Sequence, residues 1–405
     1  MIGTLFSLLL ITNYLNLKVN SFNNNDDDDD NDNEANFFIE RLSQIKSANA
    51  VEINNTNNDS KIVNDTKENQ KNIIINSSKE VDGSDKVSNE AVQHLTTADN
   101  KDLKNTTLQT TELSPTKSFD SKGGFNFAAV GDWACTSKTK DTVKNIIAQN
   151  SELVLALGDL SYDSRAKCWI KIIKPIAEKT KIAIGNHETE SSKKLKDYMK
   201  AFNLEKQYYS FNYQNVHFLA LSTETSFEEG SKQYKFAEKD LEQYSNYQTI
   251  DWIVVFYHKQ AYSSGGGLPD EVDFREAYHP LFDKYSVDLA FQGHHHAYER
   301  MYPITFNYDS KNKPIISAKD KVKNSNIFQN PEGTIFLTVG TGGAESMTVS
   351  KDKPFSAAKE DRKYGILNIS VVKSEDKKNI LTGTFIDNKK KHKILDEFKI
   401  IKESK

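Results

Sequence analysis

Short apolar runs recur along the chain at residues 125–130, 153–157, 182–184, 216–221, 252–256 and 289–291. Each is brief and rich in β-branched or aromatic residues, and each gives way to a polar loop, so the pattern predicts buried strands and not helices. Between them the period changes. Residues 142–148 carry the 3.6-residue stripe of a helix laid on a sheet, 236–241 look like another, and 274–285 read as a further helix. Alternation of this kind predicts βαβ units and a largely parallel sheet. From Gly333 onward the character shifts: residues 334–339, 366–372 and 381–386 read as antiparallel strands around the loop Gly340-Thr341-Gly342-Gly343.

The first 122 residues follow neither period. Residues 21–122 are dominated by Asn, Asp, Ser, Thr and Lys, with an acidic run at 26–30 and almost no aromatic residue after Phe38. Such a stretch buries too little apolar surface to offset chain entropy, so a disordered leader is expected, with one helical attempt at 37–45. Ahead of it, residues 5–11 form an apolar run of signal-peptide length, although no Lys or Arg precedes it. The apolar stretch 2–17 is short for the roughly 30 Å of a bilayer's hydrocarbon. The expected organisation is a signal peptide or short N-terminal anchor at 1–20, the leader at 21–122 and the folded domain at 123–402. Sequons at Asn54, Asn58, Asn64, Asn76, Asn105 and Asn368 agree with a secreted or extracytoplasmic glycoprotein, though all but Asn368 fall where an Asn-rich composition generates them.

Residues 1–122 hold 20 acidic and 12 basic side chains, a net −8 against −4 for the whole chain, so the rest carries +4. A mildly positive fold suits an anionic substrate. Lys389-Lys390-Lys391 is an isolated run that reads as a solvated turn, and no nucleic-acid footprint is present.

All but one of the runs between 125 and 291 end in metal-donor residues. They read Gly131-Asp132-Trp133, Gly158-Asp159-Leu160-Ser161-Tyr162, Gly185-Asn186-His187-Glu188, Val255-Phe256-Tyr257-His258 and Gly293-His294-His295-His296-Ala297-Tyr298-Glu299-Arg300. Ligands of open α/β sheets bind beyond the carboxyl ends of the strands, where these motifs fall. Taken singly, each has a plainer role. An Asp after Gly caps a helix, His258 alone is a hydrogen-bonded core residue, and three histidines in a row are an adventitious loop site. Their joint order weighs against that.

In that order the motifs resemble the calcineurin-like metallophosphoesterases and, within them, the purple acid phosphatases, with Gly293 to Arg300 similar to the plant-type branch. Tyr162 discriminates, because most of the superfamily has no phenolate at this point. The resemblance covers roughly residues 124 to 402. It implies an α/β fold, a four-layer αββα sandwich of two mixed β-sheets flanked by helices, and makes 123–402 a metallophosphoesterase catalytic domain. Plant-type members carry an N-terminal β-sandwich, for which 21–122 lacks the periodic strands.

The resemblance also implies a binuclear centre. Asp159 is the candidate bridge, Asp132, Tyr162 and His296 complete the first metal's shell, and Asn186, His258 and His294 complete the second's. Oxygen anions that include a phenolate suit Fe(III) at the first site, and an amide with two imidazoles suits Fe(II), Zn or Mn at the second. His187 is expected to face substrate and steady the phosphoryl group or protonate the leaving oxygen. His295 and water are the other candidates for that proton. Glu188, Tyr298, Glu299 and Arg300 are expected to support the donors from behind. Cys135 and Cys168 follow the first two motifs, and two readings stay open: a disulfide pinning both loops, or two buried thiols.

Two departures from the family pattern stand out. Ala134 occupies a position usually held by Gly, and residues 260–267 lack the further histidines that family members often place after His258. The expected function is hydrolysis of phosphate monoesters with a metal-bound hydroxide as nucleophile, as in an acid phosphatase. The alternatives are a phosphodiesterase or nucleotide pyrophosphatase on the same scaffold, and, from another class, a non-catalytic metal- or phosphate-binding surface protein. The expected partner is a phosphate-ester substrate, with membrane contact only through an N-terminal anchor.

Overall fold

The computed structural model describes residues 124–403 apart from 266–267, 322–325, 350–352, 375, 377 and 390–391. The expected signal or anchor, the leader with its sequons, the 37–45 helix, Gly266, Gly267, Lys390 and Lys391 lie outside the described residues.

Two mixed sheets form the centre of the fold. The first takes β1 (Phe125–Val130), β2 (Leu153–Ala156) and β3 (Thr180–Ile182) from one end of the domain and β10 (Ile327–Gln329), β13 (Gly365–Lys373), β14 (Lys378–Asp387) and β15 (Ile394–Glu403) from the other, in the order β10-β15-β14-β13-β1-β2-β3. β1 pairs in parallel with β2 and antiparallel with β13, which joins the two groups. The second sheet runs β12 (Ser356–Glu360), β8 (Tyr298–Thr305), β11 (Thr334–Val339), β7 (Leu289–Gln292), β6 (Trp252–Phe256), β5 (Val216–Ala220), β4 (Tyr209–Tyr213), with β9 (Ile315–Ile316) paired to β8.

The expected four-layer sandwich is therefore present, but the strands are shared out differently. The apolar runs of the first half divide between both sheets and do not build one parallel sheet, and residues 334–339 pair in parallel with β7 besides lying antiparallel to β8. Central strands of either sheet are buried on both faces, so their hydrophobicity carries no label saying which sheet they join.

Side-chain alternation sorts the second sheet into two cores. Phe218, Val254, Leu337 and Phe291 face the first sheet, while Leu219, Val255, Phe336 and Ala290 face the helices behind. Phe127 of β1 meets Phe218 and Phe291 edge-on at 5.2 and 6.1 Å, which closes the space between the sheets. On the first sheet lie α1 (Ser137–Ala148), α2 (Lys167–Ile173) and α3 (Ser192–Ala201); on the second lie α4 (Lys232–Ser245) and α5 (Val272–Lys284). Thr136, Ser191 and Ser231 cap α1, α3 and α4 by accepting a backbone N–H of the first turn. Among the described residues no helix is long and apolar enough to cross a membrane.

Candidate metal centre

The loops that carry the donors are stitched to one another by backbone bonds. After β1, Asp132 N–H donates to Gly158 O (3.1 Å), Trp133 N–H to Asp159 O (2.9 Å), and Ala344 N–H returns to Asp132 O (2.8 Å). Gly293 N–H donates to His258 O at 2.8 Å, which brings the ends of β6 and β7 together. Gly158 (φ 85°) allows this approach: a Cβ there would stand 2.7 Å from His258 Nδ1.

The expected donors converge. For the first set, Tyr162 Oη lies 2.7 Å from His296 Nε2, and His296 Nε2 lies 3.5 Å from Asp132 Oδ1. For the second, His258 Nε2 is 3.2 Å from Asp159 Oδ1 and 3.1 Å from Asn186 Oδ1. His294 groups with Asp159 and His258, their ligand atoms lying within 4.8 Å of one another. Two of the three imidazoles are aimed from behind. His258 Nδ1–H donates to Leu157 O (2.8 Å) and His296 Nδ1–H to Glu345 O (2.7 Å), so Nε2 of both faces inward. His294 N–H donates to Asp132 Oδ2 at 2.9 Å, while Asp132 Oδ1 is buried without a hydrogen-bond partner.

The electrostatics carry the mark of a site built for cations. Burial pushes the Asp132 carboxyl up to about 6 against the pull of His296 and His258. Burial acts on Asp159 in the same direction, but His258 and then His187 outweigh it and hold that carboxyl well below the usual carboxylate range. His258 shows the reverse, its imidazolium disfavoured by burial yet lifted to about 10 by Asp159 and Asp132. Burial, then His258, pushes His294 down to about 3. The Tyr162 phenol is raised above its ordinary range by burial, with Asp132 and Asp159 adding. His258 Nε2 and Asp159 Oδ1 thus meet as a charge pair at a place that suits a metal ion. An orphaned carboxylate oxygen, inward imidazole nitrogens and a mixed oxygen and nitrogen donor set fit two ions.

Around the donors the supporting residues separate by role. Glu188 is fully buried and accepts three backbone N–H groups, from Asp159 (2.8 Å), Leu160 (2.9 Å) and Gly185 (2.9 Å), so it fastens two donor loops together. His187 keeps its ring open to solvent, with 30% of the side chain exposed. His295 is wholly buried beneath Gly265, where no side chain would fit, and burial with His296 beside it lowers its pKa. Of these two histidines, only His187 is exposed to solvent.

Tyr298 and Arg300 act elsewhere than expected. Tyr298 Oη and Arg300 Nε both donate to Asp396 Oδ2 at 2.7 Å, tying β8 to β15 across the two sheets and not bracing a donor. Glu299 accepts Ser264 N–H at 2.8 Å and so holds the loop that follows His258. Cys135 and Cys168 form a disulfide, with Cα atoms 6.1 Å apart, that joins the loop after Asp132 to the start of α2.

Residues 125–298 match the family model for the calcineurin-like phosphoesterases. The chain thus carries a calcineurin-like phosphoesterase domain. The curated relatives it matches include purple acid phosphatases. It is 31% identical over 257 residues to purple acid phosphatase 22 of Arabidopsis thaliana, covering 58% of this chain and 54% of that protein. It is also 31% identical over 202 residues to the probable purple acid phosphatase 20 of the same plant, covering 44% and 47%. The structure of a purple acid phosphatase from yellow lupin (Lupinus luteus) seeds superposes with a TM-score of 0.59 at 25% identity, over 70% of this chain and 54% of that one. The chain spans about half the length of the curated relatives it matches.

Proposed function

We propose that the protein hydrolyses phosphate monoesters at a two-metal centre. The observation that carries this reading is the convergence of Asp132, Tyr162 and His296 in one cluster and of Asp159, Asn186, His258 and His294 in another. Asp132, Tyr162 and His296 would hold an Fe(III) ion, and Asn186, His258 and His294 an Fe(II), Zn or Mn ion, with Asp159 bridging. Ions held by these residues would supply Lewis-acid charge stabilisation and would lower the pKa of water. The chain's own residues orient the ester. His187 Nε2, 3.7 Å from Asp159 Oδ2, faces the same space and is placed to donate to a phosphoryl or leaving-group oxygen.

The disulfide supports an oxidising, extracytoplasmic location. Comparing 4-nitrophenyl phosphate with bis(4-nitrophenyl) phosphate tests the substrate class. Faster monoester turnover that vanishes in Asp159→Ala is expected. A diester preference would reassign the site to a phosphodiesterase, and metal binding without turnover of either ester would make it a binding protein.

A further inference from the structure

Lys194 lies outside every donor motif, yet it is 1% exposed. A buried ammonium is costly unless it is paired. Its Nζ donates to Ser161 O at 2.8 Å and to Glu190 Oε2 at 3.2 Å. The other oxygen of Glu190 meets His187 Nδ1 at 2.5 Å. His187 is held on two further sides: its ring stacks on Tyr162 with centroids 4.1 Å apart, and its backbone N–H donates to Asp159 Oδ1 at 3.1 Å.

We propose that Glu190 and Lys194 are positioning residues that fix the His187 ring and leave Nε2 as the one ring atom presented to the substrate's phosphoryl group. The inference rests on the phosphoesterase reading of the same site. A carboxylate at Nδ1 selects the ring's tautomer and stops it from flipping, so that its donor position is set before substrate arrives. Lys194 gives this brace its anchor. Ser161 stands between Asp159 and Tyr162, so the lysine ties Glu190 to the loop that supplies two donors, and the ring keeps its register with the donors. A Lys used only to dock α3 would need the Ser161 carbonyl but not Glu190, and Glu190 has 47% of its side chain exposed and would be free to leave.

The test is a double-mutant cycle in the full-length, metal-loaded protein with Glu190→Gln, His187→Ala and the pair, assayed on β-glycerophosphate and 4-nitrophenyl phosphate. Glu190→Gln keeps the shape while weakening both charge-assisted bonds. Expected are an unchanged metal content, a KM within about twofold, and a kcat reduced about tenfold or more on the alkyl ester but less on the nitrophenyl ester, whose leaving group needs little protonation. In the His187→Ala background the same substitution should have no further effect. Effects that multiply in the pair, or a Glu190→Gln kcat equal to wild type on both esters, would overturn the inference while leaving the phosphoesterase reading intact. A wild type inert on both esters would overturn that reading and this inference with it.

Discussion

Asp132, Asp159 and His294 all adopt left-handed backbone angles, with φ of 58°, 49° and 67°, a conformation that costs a non-glycine residue roughly 1–2 kcal/mol. The strain falls where donors must converge, and the bonds among the loops offset it. Ala134 shares the angle, at 54°, without being a donor, which explains why glycine suits this position. Ala134→Gly is expected to leave metal content unchanged and to raise stability by up to about 1 kcal/mol, read as Tm; a lowered Tm would show that the methyl group's packing outweighs its strain. Glu188→Gln replaces one acceptor oxygen by an amide NH2 facing backbone donors, so a loss of about 2–3 kcal/mol is expected in thermal melts, together with weaker metal retention. Unchanged melting would remove Glu188 as the fastener. If Tyr162 binds Fe(III), the loaded protein should be purple or pink and Tyr162→Phe should bleach it; a colourless wild type full of iron would end the phenolate assignment. The candidate donors stood out in the sequence because side-chain chemistry recurs after all but one of the apolar runs. The carbonyls of Leu157 and Glu345, which aim two imidazoles, have no sequence signature, and neither does the pairing of Glu190 with Lys194.

At the scale of elements, β1 and β6 coincide with their apolar runs because β6 is buried along its length and β1 everywhere but at Asn126. β3 begins two residues before its run, since its register with β2 starts at Thr180 and the apolar residues continue into the loop. β8 continues directly from the donor motif, so its chemistry hides its strand, and β15, whose apolar residues are interrupted by two lysines and three acids, lacks a continuous apolar signal. Between sequence and structure the two cysteines changed most, from two open readings to one bond. The disulfide closes a sequence separation of 33 residues that contains Asp159 and Tyr162, and chain-entropy reasoning assigns such a loop about 3–4 kcal/mol. Cys135→Ser with Cys168→Ser should therefore lower stability by that order in denaturant melts and weaken iron retention. Equal stability and iron content would show that the backbone stitching alone holds both loops.

Over the whole molecule, both sheets mix strands from distant parts of the chain, and no local period announces this. Register across β1, β2 and β13 decides it, and that information is spread over more than two hundred residues. The assembled site also sets a pH dependence. In metal-free protein Asp132 (about 6) and Glu188 (about 7), both raised first by burial, contribute stability that is complete below their unfolded values near 4 and is lost as pH rises through 6 and 7. His258, lifted to about 10 by Asp159 once burial is overcome, adds to this decline, and His294, pushed down to about 3 by burial, offsets part of it. Stripped protein should thus melt lower at pH 8 than at pH 5, whereas metal-loaded protein should not, because deprotonated donors bind the ions more tightly. A stripped protein that melts higher at pH 8 would contradict the assignment. The most direct test of the account is the number of metal ions per chain, measured by elemental analysis of the full-length protein loaded with iron and zinc, beside Asp159→Ala. Two ions per chain in the wild type, with loss at both positions in the variant, is the predicted result; two ions retained without Asp159, or none bound by the wild type, would contradict the binuclear centre.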